Sequence, residues 1–205
     1  MKTVIVTGGI GSGKTAVCSY LALKGIPVYD SDLEAKSLYD KEPYIVDRLE
    51  KALALPLRNQ EGALDRKFLA SVIFSDEKAL DKVDSIVHPE VRKDFLEWRE
   101  NVGRGSEVPF VILETALIGI LPSFREIADK IVLVDAPEAL RIRRACVRDD
   151  ASESAIASRI KAQKQCNDLS CNGMCASFVD DVIVNDGTLD ELYLKVDAVF
   201  GPLWK

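Results

Sequence analysis

No run in this sequence comes near the ~20 apolar residues that a membrane-spanning helix needs. The opening "MKTVIVTGG" is too short an apolar stretch for the core of a secretory leader. These two absences lead to the expectation of a cytoplasmic protein that works away from membranes. A basic surplus is also missing: 27 Lys and Arg face 33 Asp and Glu, a net charge of −6. That argues against a general nucleic-acid binder, which carries a basic face. Any polyanionic ligand must therefore be held by a local cluster of cations and backbone N–H groups. Histidine occurs once, at His88, and cysteine five times, at Cys18, Cys146, Cys166, Cys171 and Cys175. An odd cysteine count in a cytosolic chain points to free thiols rather than a disulfide framework. The segment "CNDLSCNGMC" brings three of those thiols close in sequence, but a structural zinc site usually needs four ligands and the one histidine is remote. Thiols without a metal are expected there. The sequence shows neither an internal repeat nor a low-complexity segment.

What is present is an ordinary globular composition, 47% hydrophobic and 29% charged over 205 residues. Such a chain can bury a core and suits one α/β domain with insertions. Residues 3–7, "TVIVT", are β-branched and end at a glycine pair, the pattern of a buried parallel strand. The segment "VIVTGGIGSGKTAV" then fits Gly-x-x-x-x-Gly-Lys-Thr, with Gly8, Gly13, Lys14 and Thr15 at the fixed positions. From Lys14 the spacing is helical, with Val17, Cys18, Leu21 and Ala22 expected inward and Gly25 as the stop. "IPVYD" reads as a second strand closing at Asp30. Strand, glycine-rich turn and helix are the context this motif requires.

In that context backbone N–H groups from Gly9 to Thr15 can converge on the β- and γ-phosphates of a nucleotide, aided by the positive end of the following helix. Lys14 reaches the transferring phosphate, and the Thr15 hydroxyl is a ligand for Mg²⁺. The base-reading Asn-Lys-x-Asp of a GTPase does not occur. "RIRRACVR" supplies Arg141, Arg143, Arg144 and Arg148, with Arg141, Arg144 and Arg148 on one helical face. Several arginines suit a kinase, whose transferring phosphoryl group must be neutralised. The alternative is a solvated face paired to Asp149 and Asp150. "YDSDLEA" places Asp30 and Asp32 at the carboxyl end of strand two, where open parallel sheets bind ligands. Asp32 can accept the proton of a hydroxyl acceptor, and Asp30 can hold Mg²⁺ through water. Either acid can instead cap the helix expected near Leu33.

From Ser31 to about Val102 amphipathic helical stretches dominate, a helical insertion between strands two and three. "PFVILET" is strand three, ending at Glu114. "DKIVLVD" is strand four, and a helix with Pro137 near its first position follows. "ASESAIASRIKAQKQ" is a further helix, "DDVIVNDG" a fifth strand and "TLDELYLKVDAVFG" a closing helix. Strands alternating with helices give a P-loop NTPase-type, doubly wound parallel sheet of five strands.

Taken in order, "TGGIGSGKT", "YDSDLEAK", "IVHPEVR", "VDAPEALRIRRACVRDD", "RIKAQ" and "DDVIVNDG" resemble the dephospho-CoA kinase family from Thr7 to Gly187. The resemblance implies transfer of the γ-phosphoryl group of ATP to the ribose 3′-hydroxyl of dephospho-CoA, with Mg²⁺ and no nucleic-acid or membrane partner. It implies a nucleotide-binding core of residues 1–32, 103–140 and 176–205, a CoA-binding insertion at 33–102 and a lid at 141–175. Asp32 is then the base, with Lys14 and Arg144 also catalytic. Gly9, Gly11, Ser12, Gly13, Lys14, Thr15, Ala16 and Arg148 contact ATP, and Arg159 and Gln163 are further lid candidates. Asp32 and His88 face the acceptor, although His-Pro also marks helix junctions. The "NDG" at 185–187 either lies beside the adenine or is a plain strand-to-helix turn.

The sequence departs from the family in three places. Glu114-Thr115-Ala116-Leu117 stands where Pro-Leu-Leu is common, so Glu114 is a candidate to reach Mg²⁺ through water. Ala16 replaces a common hydroxyl residue, and the three late cysteines are foreign to the pattern. A monomer is expected. Two alternatives differ in kind: a kinase for a nucleoside monophosphate or small metabolite, and a nucleotide-dependent switch that binds a protein partner.

Overall fold

The structure, a computed structural model, describes residues 1–105, 107–116, 122–166 and 177–204. In chain order it runs β1 (Lys2–Thr7), α1 (Lys14–Leu23), β2 (Val28–Asp30), α2 (Ser31–Lys41), α3 (Pro43–Leu53), α4 (Arg66–Ser75) and α5 (Glu77–Gly105). It continues with β3 (Phe110–Glu114), α6 (Pro122–Arg125), β4 (Lys130–Asp135), α7 (Glu138–Asp149), α8 (Glu153–Cys166), β5 (Asp181–Val184) and α9 (Leu189–Phe200). The chain divides into two compact units, Met1–Asp30 with Arg99–Lys205, and Ser31–Trp98. Among the described residues no helix is long and apolar enough to cross a membrane.

The first unit is built on a five-stranded sheet in the order β2-β3-β1-β4-β5, with every pairing parallel. β1 and β3 are buried at nearly every position, as apolar runs between helix layers require. On one face Val4, Val6, Phe110, Ile112, Val132 and Val134 pack against Val17, Cys18 and Leu21 of α1 and Leu192, Val196 and Phe200 of α9. Ala22 is exposed rather than inward; the burial of α1 follows Val17, Cys18 and Leu21, and a methyl group loses little in water. On the other side of β1, the Thr3 hydroxyl accepts a 2.8 Å hydrogen bond from Arg99. Strand order reverses at β1, so the turn leaving it opens at the carboxyl edge of the sheet, where such folds bind ligands.

The second unit contains α2, α3, α4 and α5 through Trp98. Its only strand-like feature among the described residues is an isolated bridge, Arg58 with Leu64. α5 runs unbroken through Pro89, where the sequence suggests a junction. Proline removes one backbone donor and strains the preceding turn. The helix continues because Val83, Ile86, Val87, Val91 and Phe95 fall at helical spacing and are all buried. α2 begins at Ser31, immediately after β2, so Asp32 lies in its first turn, where a carboxylate is favoured by the helix dipole.

Candidate active site

The glycine-rich turn between β1 and α1 is positioned by four side chains distant in sequence or at its end. Gly13 is the N-cap of α1 at φ 102, and no side chain caps the helix. Helix N-termini without a side-chain cap are places where anions can be received. A side chain at 13 would be strained at that φ and would collide with the Asn185 amide. Lys14 Nζ donates to the carbonyls of Gly8 at 2.8 Å and Gly9 at 3.2 Å. The Ser12 N–H closes the turn on the Gly9 carbonyl at 3.1 Å. The Ile10 N–H donates to Gln163 Oε1 at 2.8 Å, and the Ile10 carbonyl accepts from Arg141 Nε at 2.9 Å. The Ile10 and Ser12 N–H groups are thus used within the protein, which narrows the set expected to meet a phosphate. The Ser12 hydroxyl is fully buried with no hydrogen-bond partner.

A chain of hydrogen bonds brings β5 and α7 to the same turn. Asn185 Nδ2 donates to the Ser12 carbonyl at 2.8 Å. Arg144 donates to the Asn185 carbonyl at 3.0 Å and to its side-chain oxygen at 3.3 Å. Arg141 is buried, and its guanidinium occupies the space that a side chain at Gly9 would need. A buried cation is costly without compensation, so Arg141 raises the positive potential of the turn at its own expense. α7 also borders a cleft of about 400 Å³ lined by Leu140, Arg143, Arg144, Val147 and Arg148. Arg148 itself pairs with Asp149 at 2.6 Å, and Arg159 joins the same carboxylate at 2.7 Å. These two cations hold Asp149 well below the usual carboxylate range.

At the adjoining strand ends, Asp30 and Glu114 are register partners in β2 and β3. The Thr15 hydroxyl donates to Glu114 Oε1 at 2.9 Å. Burial pushes the Glu114 carboxyl up, while hydrogen bonds from Thr15 and Cys18 pull it back; Asp30 adds to the rise and Lys14 opposes it. Hydroxyl and carboxylate oxygens are the donor set that Mg²⁺ prefers, and Mg²⁺ takes few protein ligands because it keeps waters and phosphate oxygens. Among the described residues no cluster of three or more His, Cys, Asp or Glu could hold a metal by itself. Ala16 packs partly buried against the core and offers only its backbone.

Asp32 and His88 belong to the second unit. Asp32 is exposed, and His88 is half-buried with Nε2 3.5 Å from Asp84. Burial lowers the His88 pKa, while Asp84 and then Asp32 raise it, so the three groups share one electrostatic neighbourhood.

Of the sequence candidates, the structure gathers Gly9, Gly11, Ser12, Gly13, Lys14, Thr15, Arg144 and Glu114 around the turn. It places Arg148 in its pair with Asp149. Arg141 and Asn185 hold the turn, although the sequence gives Arg141 no more weight than its neighbours and leaves Asn185 either beside the adenine or in a plain strand-to-helix turn. Their signal is limited to an arginine one helical turn before Arg144 and an asparagine closing β5. Pro137 is the N-cap of α7, one place before the expected position. Cys18 and Cys146 are free thiols. Cys171 and Cys175, the Cys166 side chain and residues 167–175 of the expected lid lie outside the described residues.

The sequence model of the dephospho-CoA kinase family matches residues 2–191. Dephospho-CoA kinase of Porphyromonas gingivalis is 39% identical over 165 residues, which cover 80% of this chain and 79% of that one. The crystal structure of TT1252 from Thermus thermophilus superposes with a TM-score of 0.75 at 29% identity, covering 98% of this chain and 97% of that one. Dephospho-CoA kinase from Campylobacter jejuni has the same fold, with a TM-score of 0.68 at 20% identity over 100% of this chain and 98% of that one.

Proposed function

The chain belongs to the dephospho-CoA kinase family, and we propose how its residues divide the work of that reaction. The enzyme transfers the γ-phosphoryl group of ATP to the ribose 3′-hydroxyl of dephospho-CoA and releases coenzyme A and ADP. The observation that carries the division is the convergence of Lys14, Arg141, Arg144 and an uncapped helix N-terminus on one glycine-rich turn.

The triphosphate lies along that turn. N–H groups at the start of α1 receive its oxygens, and Lys14 turns from the Gly8 and Gly9 carbonyls to the transferring phosphoryl group. Arg144, held in place by Asn185, meets charge that grows as the bond to ADP breaks. Thr15 and Glu114, with Asp30 in register beside Glu114, would hold Mg²⁺, which would supply positive charge to the phosphates. The cleft at Leu140, Arg143, Arg144, Val147 and Arg148 suits the nucleoside end, offering apolar surface inside a rim of cations.

Asp32 takes the proton of the 3′-hydroxyl. The O–H electron pair then forms the new O–P bond, and the bond from phosphorus to the β,γ-bridging oxygen breaks toward ADP. An exposed carboxylate in the first turn of α2 suits this role, since an incoming acceptor can reach it. His88, in the same electrostatic neighbourhood as Asp32, faces the acceptor. Residues 33–102 form the acceptor domain, and α7 and α8, over residues 141–166, form a lid that excludes water from the phosphoryl group. The enzyme acts as a monomer in the cytoplasm.

An ADP-release assay with a panel of acceptors tests this reading. Turnover is expected with dephospho-CoA. Robust turnover on a nucleoside monophosphate with none on dephospho-CoA would overturn it.

A further inference from the structure

We propose that Gln163 is a positioning residue of the donor site, whose side-chain oxygen fixes the Ile10 peptide and thereby sets the shape of the phosphate turn. This rests on the reading that the turn holds ATP. It assigns Gln163 to the protein's own backbone rather than to a phosphate.

Ile10 is gripped on both edges of its backbone. Its N–H donates to Gln163 Oε1 of α8 at 2.8 Å, and its carbonyl accepts from Arg141 Nε of α7 at 2.9 Å. Its side chain packs onto a small apolar cluster of α7 and α8, namely Ala145, Ile156 and Ile160 with Ile142 and Cys146. Gly9 and Gly11 flank it, and Gly11 is at φ 74. A turn with glycine on both sides has many accessible conformations, and ordering it costs conformational entropy. Two side-chain hydrogen bonds and one apolar anchor at a single residue remove that freedom before the nucleotide arrives.

The chemistry of the contact favours glutamine. Its amide oxygen accepts from the Ile10 N–H without bringing negative charge to a site that must receive a polyanion. Glutamate would keep the acceptor and add repulsion. The α7–α8 pairing already has its own apolar cluster, so the hydrogen bond to Ile10 adds little to holding the lid helices together. What it holds is the turn.

The test compares wild type with Gln163→Leu, Gln163→Asn and Gln163→Glu by native-state amide exchange, steady-state kinetics and thermal melting. In Gln163→Leu the Ile10 amide is expected to exchange about tenfold faster, the scale of one lost hydrogen bond, while the Leu21 amide of α1 keeps its rate. kcat/KM for ATP should fall about tenfold, with KM for dephospho-CoA unchanged. Gln163→Asn, too short to reach, should match Gln163→Leu and covers the case in which leucine fails to fold. Gln163→Glu should keep Ile10 protected yet raise KM for ATP. Unchanged Ile10 exchange in both Gln163→Leu and Gln163→Asn overturns the proposal. So does faster exchange with wild-type kcat/KM for ATP. A wild type that turns over no dephospho-CoA would defeat the functional reading instead, and the Ile10 exchange rates would still decide the contact.

Discussion

The Thr15 hydroxyl donates a 2.9 Å hydrogen bond to the Glu114 carboxylate, tying the first turn of α1 to the end of β3. A hydroxyl that donates to a carboxylate keeps its lone pairs for a cation. The pair therefore presents oxygen from two elements to one point, with Asp30 in register on β2.

Glu114→Gln keeps the shape and the acceptor for Thr15 but removes the charge. The expected outcome is a rise of about 10- to 100-fold in the Mg²⁺ concentration for half-maximal activity, the range for losing an outer carboxylate. A Mg²⁺ titration at saturating ATP measures it. Because burial raises the Glu114 pKa, the wild-type Mg²⁺ requirement should grow as pH falls, and the variant should lack that trend. An unchanged titration would remove Glu114 from the metal side.

Asn185→Ala removes the donor to the Ser12 carbonyl and the side-chain acceptor for Arg144 at once. The side chain is buried, so stability should fall by about 1–3 kcal/mol. Arg144→Ala should cost about 100-fold in kcat, the scale of one lost donor to developing charge. If Asn185 acts by holding Arg144, the double variant should be little worse in kcat than Arg144→Ala alone. Independent losses that multiply would separate the two residues.

Asp32→Asn changes a residue of α2 outside the phosphate turn and tests its proposed role as proton acceptor. Phosphoryl transfer to dephospho-CoA is expected to fall by about 10²–10⁴-fold. ATP binding, followed by calorimetry, should stay near wild type. Loss of ATP affinity instead would assign Asp32 to the nucleotide.

The sheet was legible because β-branched runs ending at Gly8, Asp30, Glu114 and Asp135 differ from helical spacing in a way that needs only neighbouring residues. The same local signal names the phosphate turn, Lys14, Thr15 and the strand-end acids. It cannot rank the arginines of α7. Arg141, Arg144 and Arg148 share a helical face, yet Arg141 meets the turn 131 residues away and Arg148 meets its own neighbour Asp149. Asn185 and Gln163 reach the turn across 173 and 153 residues, distances at which periodicity carries no information. Pro89 misleads for the opposite reason. It is a strong local breaker, but the buried stripe from Val83 to Phe95 overrides it.

His88 gives the second unit a pH dependence of definite sign. Its pKa is lowered from 6.5 mainly by burial, with Asp84 and Asp32 opposing. The unfolded chain therefore binds the proton more readily than the folded one just below pH 6.5, so stability is complete above that value and declines as pH falls through it. Asp84 works in the other direction and at lower pH: burial raises its carboxyl from 3.8, His88 lowers it and Asp81 raises it, so folding favours its protonated form. Tyr39, close enough to feel both Asp84 and Arg66, titrates far above this window. Urea unfolding of wild type and His88→Gln at intervals between about pH 5.5 and 7.5 isolates the histidine. Wild-type stability should drop toward the acid end with a slope of at most about 1.4 kcal/mol per pH unit, the limit for one proton. His88→Gln should be flatter over the same interval. Parallel curves would mean that His88 titrates as it does in the unfolded chain, and that its neighbourhood with Asp32 and Asp84 does not govern its charge.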